Sequence, residues 1–240
     1  MIRGFIVCAG KQSRFKSKVP KALVNIRGKS LLLRNIEAIS VCDEIYVICS
    51  TENESAFVPE ELGAAKKIVI TSGFGSGDAV WQVLRGIDVQ KGDIGFILWG
   101  DSLQREEIIN YLLDCYDGVS LIPCVVENNP YVCVSDNKKG GVNVYFSKFG
   151  ETVSRGYHDL SLFCCDILAL KKYLCEFHDA IYAPNGRYYH KHGNEMEFLD
   201  VFNETNIKAK IIEFTDYREF AFNTVEPVSY THLTLPTTSR

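Results

Sequence analysis

Four cations crowd one short polar stretch, Lys11, Arg14, Lys16 and Lys18, and Pro20-Lys21 follows at once. Ala9-Gly10 stands immediately before them. Backbone N–H groups near a glycine can approach an anion closely, and clustered cations neutralise it, so this arrangement suits a polyphosphate. A second candidate is Asp101, in Gly100-Asp101-Ser102. Its carboxylate offers the hard oxygen donor that Mg²⁺ shares with substrate phosphates. The competing assignment for Asp101 is N-cap of a helix over Glu106 to Leu113. A third is the glycine cluster Gly73, Gly75 and Gly77, ending in Asp78-Ala79-Val80. A glycine loop feeding a helix N-terminus can close over a base or phosphate; taken alone it is as well explained by a plain turn. His190 and His192 flank Lys191, but no third metal ligand is apparent near them, and the pair reads as a solvated loop.

These residues need elements to position them. Phe5-Ile6-Val7-Cys8 is a short apolar run between glycines, the pattern of a parallel strand buried on both faces. The basic stretch therefore leaves the carboxyl end of the first strand, where open α/β sheets place ligands. Leu31, Leu32, Ile36 and Ile39 fall at helical spacing. Strands are expected at Glu44 to Cys49, Lys66 to Ile70 and Ile94 to Trp99, with polar loop or short helix over Glu52 to Glu61. Ile94 to Trp99 delivers Asp101 to the same sheet edge as the basic loop. This order of elements predicts a right-handed, mainly parallel α/β sheet. Further on, Gly118 to Val126 reads as a strand and Glu127 to Pro130 as a turn. Tyr131 to Val134 and Val142 to Phe146 alternate like an antiparallel pair. Leu160 to Cys165 reads as a core strand, and Asp166 as the cap of a helix over Ile167 to Phe177. A short helix over Glu195 to Phe202 and a strand over Lys210 to Phe214 complete the pattern.

The register of the first stretch resembles the signature of the sugar-phosphate nucleotidyltransferases. Ala9, Gly10, Ser13, Arg14, Pro20, Lys21, Gly28 and Lys29 fall in step with it without insertion. Among these enzymes the spacing is most similar to the uridylyltransferases of N-acetylglucosamine 1-phosphate. Gln12 stands where the signature has its second glycine. Gly75-Ser76-Gly77-Asp78-Ala79-Val80 resembles the family's base-contacting loop, with Asp78 in place of histidine and the upstream glutamine missing, which leaves the base open. Ala221-Phe222-Asn223-Thr224 resembles the late motif whose asparagine is the second magnesium ligand.

The resemblance implies a Rossmann-like three-layer nucleotidyltransferase fold with a mixed, mainly parallel central sheet. It implies Mg²⁺-dependent transfer of a nucleotidyl group from an NTP to a sugar 1-phosphate or similar phosphorylated acceptor, releasing pyrophosphate. By the same carry-over, Ala9, Gly10, Lys11, Gln12, Ser13, Arg14, Gly75, Ser76, Gly77 and Asp78 bind nucleotide, and Arg14 and Lys21 are catalytic. Asp101 and Asn223 hold the metal, and the acceptor pocket comes from the second half of the chain. Two alternatives stay open: a cytidylyltransferase acting on phosphocholine or methylerythritol phosphate, and a non-catalytic nucleotide-sensing homologue. A glycosyltransferase is disfavoured because no Asp-x-Asp stands at a strand end.

Composition bounds the rest. The chain has 240 residues, 46% of them apolar, enough for one sizeable α/β core. A net charge of −4 disfavours nucleic acid as a partner. No apolar run approaches a membrane span, and Met1-Ile2-Arg3 leads into the first strand without a signal-peptide layout. Nine cysteines, several inside apolar runs and none in a C-x-x-C pair, are expected as reduced thiols in a cytoplasm. Gly28-Lys29-Ser30 mimics the end of a P-loop, but Leu23 stands where that motif needs glycine. The nucleotidyltransferase domain is expected over residues 1–226. Residues 227–240, including Val-Ser-Tyr-Thr-His-Leu-Thr-Leu-Pro-Thr-Thr-Ser-Arg, lack both periodicities and resemble translated sequencing adapter, a non-native tail that cuts a longer gene short.

Overall fold

A computed structural model describes residues 1–10, 19–71 and 73–215 of the chain. The buried apolar runs become strands of one ten-stranded mixed sheet. Its first half is parallel, in the order β5 (Lys66–Ile70), β4 (Glu44–Ser50), β1 (Ile2–Val7) and β6 (Ile94–Trp99). A two-residue hairpin of β2 (Asn25–Ile26) and β3 (Lys29–Ser30) lies outside it.

Beyond β6 the sheet turns antiparallel. β11 (Leu162–Asp166) runs against both β6 and β7 (Ser120–Asn128), and β7 against β10 (Arg155–Asp159). β8 (Val132–Asp136) and β9 (Val142–Phe146) close that edge, while β12 (Ala209–Glu213) pairs parallel with β7. β10 has no counterpart in the sequence-based reading, since Arg-Gly-Tyr-His-Asp lacks an apolar alternation. β7 also runs on through Asn128, into the residues expected to turn.

Alternation along the strands splits the core into two layers. Phe5 and Ile97 join one apolar cluster, Ile6, Phe96 and Leu98 the other, and all five are fully buried. Against the first layer pack α3 (Ser76–Gly86) and α5 (Ile167–Ile181), through Val80, Val83, Leu84, Leu170 and Leu174. Against the second pack α1 (Leu31–Ala38) and α4 (Glu106–Cys115), through Leu32, Ile36, Ile108, Ile109 and Leu112. Fully burying each such aliphatic or aromatic side chain contributes roughly 1.5–3 kcal/mol, so both faces must be covered and a three-layer α/β/α architecture results. Two short helices, α2 (Pro59–Leu62) and α6 (Asp200–Glu204), complete the fold.

Local chemistry sets the helix starts. Ser30 Oγ accepts from Leu33 N–H at 3.2 Å and caps α1, and Asp166 Oδ1 accepts from Ala169 N–H at 2.8 Å and caps α5. Asp101 does not cap α4, contrary to one of its two expected roles: the residue before that helix is Arg105. The helix expected over Glu195 to Phe202 is also corrected. Glu195, Met196 and Glu197 are irregular, and α6 begins only at Asp200.

Candidate active site

A cleft of about 560 Å³ opens where β1 and β6 end side by side. Val7 pairs with Trp99, so Ala9-Gly10 and Gly100-Asp101 leave the sheet next to each other. Gly100 N–H donates to Val7 O at 2.9 Å. A side chain there is excluded, because a Cβ on Gly100 would stand 2.4 Å from Cys8 Sγ and 3.1 Å from Val7 O. Burial and then the Asp101 charge hold the Cys8 thiol well above the ordinary thiol range, leaving it protonated and inert.

Lys21 enters the same space from the 3₁₀ turn Lys21–Leu23, which follows Pro20. Its Nζ donates to Asp101 Oδ2 at 3.1 Å. The Lys21 side chain is 14% exposed and that of Asp101 35%, so the carboxylate still faces the cleft. Behind Asp101 a buried amide network fixes its turn. Asn35 of α1, fully buried, donates through Nδ2 to Ser102 O at 2.9 Å and accepts from Gln104 N–H at 2.9 Å. Gln104 Nε2 in turn donates to Leu160 O at 3.0 Å, tying this turn to the start of β11. The charge pair therefore sits on a backbone fixed from both sides.

The glycine loop forms another wall through Gly73, Gly75 and Ser76. Gly75 has φ +107°, and a Cβ there would lie 2.4 Å from Met196 O, so only glycine lets residues 196–197 cross so closely. Gly77 and Asp78 are not among the residues that line the cleft. Gly77 N–H donates to Met196 O at 2.8 Å. The Asp78 carboxylate turns into the core, where it accepts from Tyr188 Oη at 2.5 Å, Gln82 Nε2 at 2.8 Å and Phe74 N–H at 3.0 Å. Burial, and then this carboxylate, hold the Tyr188 phenol far above its ordinary range. Asp78 thus shapes the loop from behind.

The antiparallel half supplies the opposite wall: Tyr131, Lys148, His158, Asp159, Glu195 and Glu197. Lys148 pairs with Glu197, whose other oxygen accepts from Ser76 Oγ at 3.3 Å. Ser76 Oγ also accepts from Phe198 N–H at 3.0 Å. His158 Nδ1 lies 3.0 Å from Val132 O, and Asp159 Oδ1 accepts from Ser161 N–H at 2.9 Å. None of these residues was singled out from the sequence. One signal was present for two of them: Glu195-Met196-Glu197-Phe198 alternates polar and apolar, the period of an extended segment with both carboxylates on one face.

Of the sequence-based site residues, the structure brings together Ala9, Gly10, Lys21, Gly75, Ser76 and Asp101. Lys11, Gln12, Ser13, Arg14 and Asn223 lie outside the described residues. His190 and His192 do not sit in a solvated loop: both side chains are buried, at 7% and 3% exposure, against the fully buried Asp200.

The family model of the MobA-like NTP transferase domain matches residues 4–149, more than half of the chain. The Bifunctional protein GlmU of Francisella philomiragia subsp. philomiragia is 29% identical over 128 residues. That stretch is 51% of this chain and 28% of the relative, so the chain spans well under half of that protein's length. The fold is similar to HddC from Yersinia pseudotuberculosis, with TM-score 0.65, 16% identity and 94% and 95% of the two chains covered. It is likewise similar to the inositol-1-phosphate CTP transferase from T. maritima, with TM-score 0.68, 12% identity and coverage of 93% and 89%.

Proposed function

Because the chain belongs to the MobA-like NTP transferase domain family, we propose that its cleft transfers a nucleotidyl group from an NTP to a sugar 1-phosphate or similar phosphorylated acceptor, releasing pyrophosphate. One observation carries this reading: a lysine and a carboxylate 3.1 Å apart at the joined carboxyl ends of β1 and β6, beside Ala9-Gly10, in a cleft of about 560 Å³. The acceptor's phosphate oxygen attacks the α-phosphorus, the bond to the pyrophosphate oxygen breaks, and pyrophosphate leaves. Both reactants are anions, so alignment and charge neutralisation supply most of the acceleration.

Lys21 bridges the α-phosphate and the acceptor phosphate, exchanging its contact with Asp101 for phosphate oxygens. Arg14, assigned from the sequence motif alone, grips the triphosphate and steadies charge growing on the departing pyrophosphate. Lys11, Gln12 and Ser13 contact the same phosphates in that assignment. Gly75 and Ser76 flank the nucleotide. Lys148, on the opposite wall, meets the acceptor.

Mg²⁺ is the implied cofactor, and the donor set fits it: Asp101 presents hard oxygens to the cleft, and this ion ordinarily takes one or two protein oxygens alongside phosphates and waters. Asp101 would hold it together with Asn223, the latter on the sequence motif alone. When bound, the ion neutralises phosphate charge. The T. maritima neighbour acts on inositol 1-phosphate with CTP by its name, which keeps a cytidylyltransferase reading in play.

The test is a pyrophosphate-release screen of the four NTPs, with Mg²⁺, against sugar 1-phosphates and phospho-alcohols. Release that requires one acceptor class and yields the coupled nucleotide product is the expected result. Nucleotide binding without release for any pair would point instead to a nucleotide-sensing homologue.

A further inference from the structure

On the far side of the acceptor wall, three buried side chains converge. His190 and Gly193 close a tight turn by reciprocal backbone hydrogen bonds, 3.1 and 3.0 Å long, which swings His190 and His192 toward Asp200 at the start of α6. His192 Nδ1 lies 2.8 and 3.0 Å from the two Asp200 oxygens, and His190 Nδ1 lies 3.4 Å from Asp200 Oδ2. One ligand atom from each of the three falls within 4.8 Å of the others. Two ligands bonded to Zn²⁺ at ~2.0–2.1 Å and a tetrahedral angle stand roughly 3.3 Å apart, so these separations suit one shared ion.

The second ring nitrogens carry the argument further. His190 Nε2 faces Glu204 Oε1 at 3.4 Å, and His192 Nε2 faces Glu151 Oε1 at 3.2 Å. The latter contact is off line for a hydrogen bond, and His192 Nε2 is otherwise buried without a partner. Each ring therefore presents a carboxylate to both of its nitrogens. Ionised carboxylates only accept, so each nitrogen–carboxylate contact is satisfied by a proton, carried by the ring or by the carboxyl, or by a cation in its place. His190 Nδ1 also accepts the His192 N–H at 3.4 Å, a long contact that ligation through that nitrogen would replace. A ligating histidine whose other nitrogen faces a carboxylate is the usual outer arrangement of a zinc centre.

We propose that His190, His192 and Asp200 bind a single divalent transition-metal ion of the Zn²⁺ class, with Glu204 and Glu151 orienting the two imidazoles. The donors are two nitrogens and one oxygen, a set that suits Zn²⁺ better than Mg²⁺. The ion is structural. His192 stacks on Phe149 at 4.7 Å and meets Phe146 edge-on at 4.9 Å, next to Lys148. Asp200 immediately follows the segment that carries Glu195 and Glu197. The ion would thus clamp the segments behind the acceptor wall together.

The full chain, stripped by chelator and dialysed, is titrated with Zn²⁺ and separately with Co²⁺. The expected result is one ion per chain and a Tm raised by roughly 5–10 °C at a hundredfold excess over Kd. Tetrahedral Co²⁺ bands should appear in the visible without the near-ultraviolet thiolate charge transfer that the nine cysteines would give. His192→Gln and His190→Gln, each checked for folding by circular dichroism, should drop stoichiometry to background. Binding that survives both variants, or cobalt spectra of thiolate ligation, would overturn the site. So would absence of binding and of any Tm shift in the folded wild type, which would leave a proton-filled network.

Discussion

The two halves of the sheet build their walls of the cleft in different ways. In the parallel half, β1 and β6 deliver Ala9-Gly10 and Asp101 to the site simply by ending, since neighbouring parallel strands terminate at one edge. Lys21 joins them from the turn just beyond β1, and a buried asparagine secures the arrangement from behind. In the antiparallel half only some strands end at that edge, β10 with His158 and Asp159 among them, and side chains of the segments beyond reach across to the glycine loop or to one another. Glu197 meets Ser76 of that loop across 121 positions, Tyr188 meets Asp78 behind it across 110, and Lys148 meets Glu197 across 49. The parallel wall rests on backbone topology; the antiparallel wall rests on polar contacts that substitution can change without disturbing the sheet. Under the proposed function, chemistry common to the family lies on the first wall and acceptor choice on the second.

The sharpest way to break this contrast is at Lys21 and Asp101. Lys21→Ala and Asp101→Asn should each lower kcat by about 10²–10³, the scale of removing one charged transition-state contact, with the melting curve little changed. Steady-state kinetics with NTP and acceptor varied separately measures this. Near-normal turnover in Asp101→Asn at saturating Mg²⁺ would remove the carboxylate from the chemistry. Lys148→Ala should act differently, raising the acceptor KM roughly tenfold while leaving the NTP KM close to wild type, as loss of uniform binding does. An equal rise in both would place Lys148 on the nucleotide and merge the two walls.

A smaller effect is expected from Tyr188→Phe. It removes a donor from the buried Asp78 carboxylate, which keeps Gln82 and the Phe74 N–H. Losing one of three hydrogen bonds to a buried charge costs about 1–3 kcal/mol, read as a lower denaturant midpoint, and kcat should fall less than in the Lys21 variant. A variant as stable as wild type would show that the glycine loop is held by Met196 alone.

The mildest prediction lies at the amino ends of the parallel strands, away from the cleft. Hydrogen bonds from Lys66, Tyr46 and Arg3 hold the Glu44 carboxyl down to about 2, from an ordinary value of 4.5. A lowered pKa stabilises the fold above the unfolded value, and that contribution is lost as pH falls from 4.5 through about 2. Glu44→Gln should therefore flatten the loss of stability between those two pH values, by a small amount because the groups are partly exposed. Urea midpoints measured across that range test it; parallel curves for both proteins would assign acid sensitivity elsewhere.

How much was legible in advance follows the same division. β5, β6 and β9 appear with the expected limits, each for its own reason: β6 is buried on both faces and apolar throughout, β9 alternates inward and outward residues, and β5 is an edge strand marked by its β-branched Ile-Val-Ile. The placement of Asp101 at the end of β6 follows from chain order alone. β10 was illegible because it pairs on the strength of its neighbours, β7 and β8, with little apolar burial of its own. Asp78 is the instructive site residue. Its position in a glycine loop is a local property, but the direction of its carboxylate depends on Tyr188, a residue no short window contains.

The histidine pair marks the boundary most clearly. Two imidazoles spaced by one residue were visible, and so was Asp200, but nothing in the seven residues between His192 and Asp200 says that a turn closes and a helix begins just where all three meet. Sequence by itself determined the parallel scaffold and the order in which charged residues leave it, since periodicity and strand polarity are local and additive. Tertiary structure alone decided which polar groups are buried together, because burying a charge is tolerable only beside a partner, and that partner is supplied by the fold.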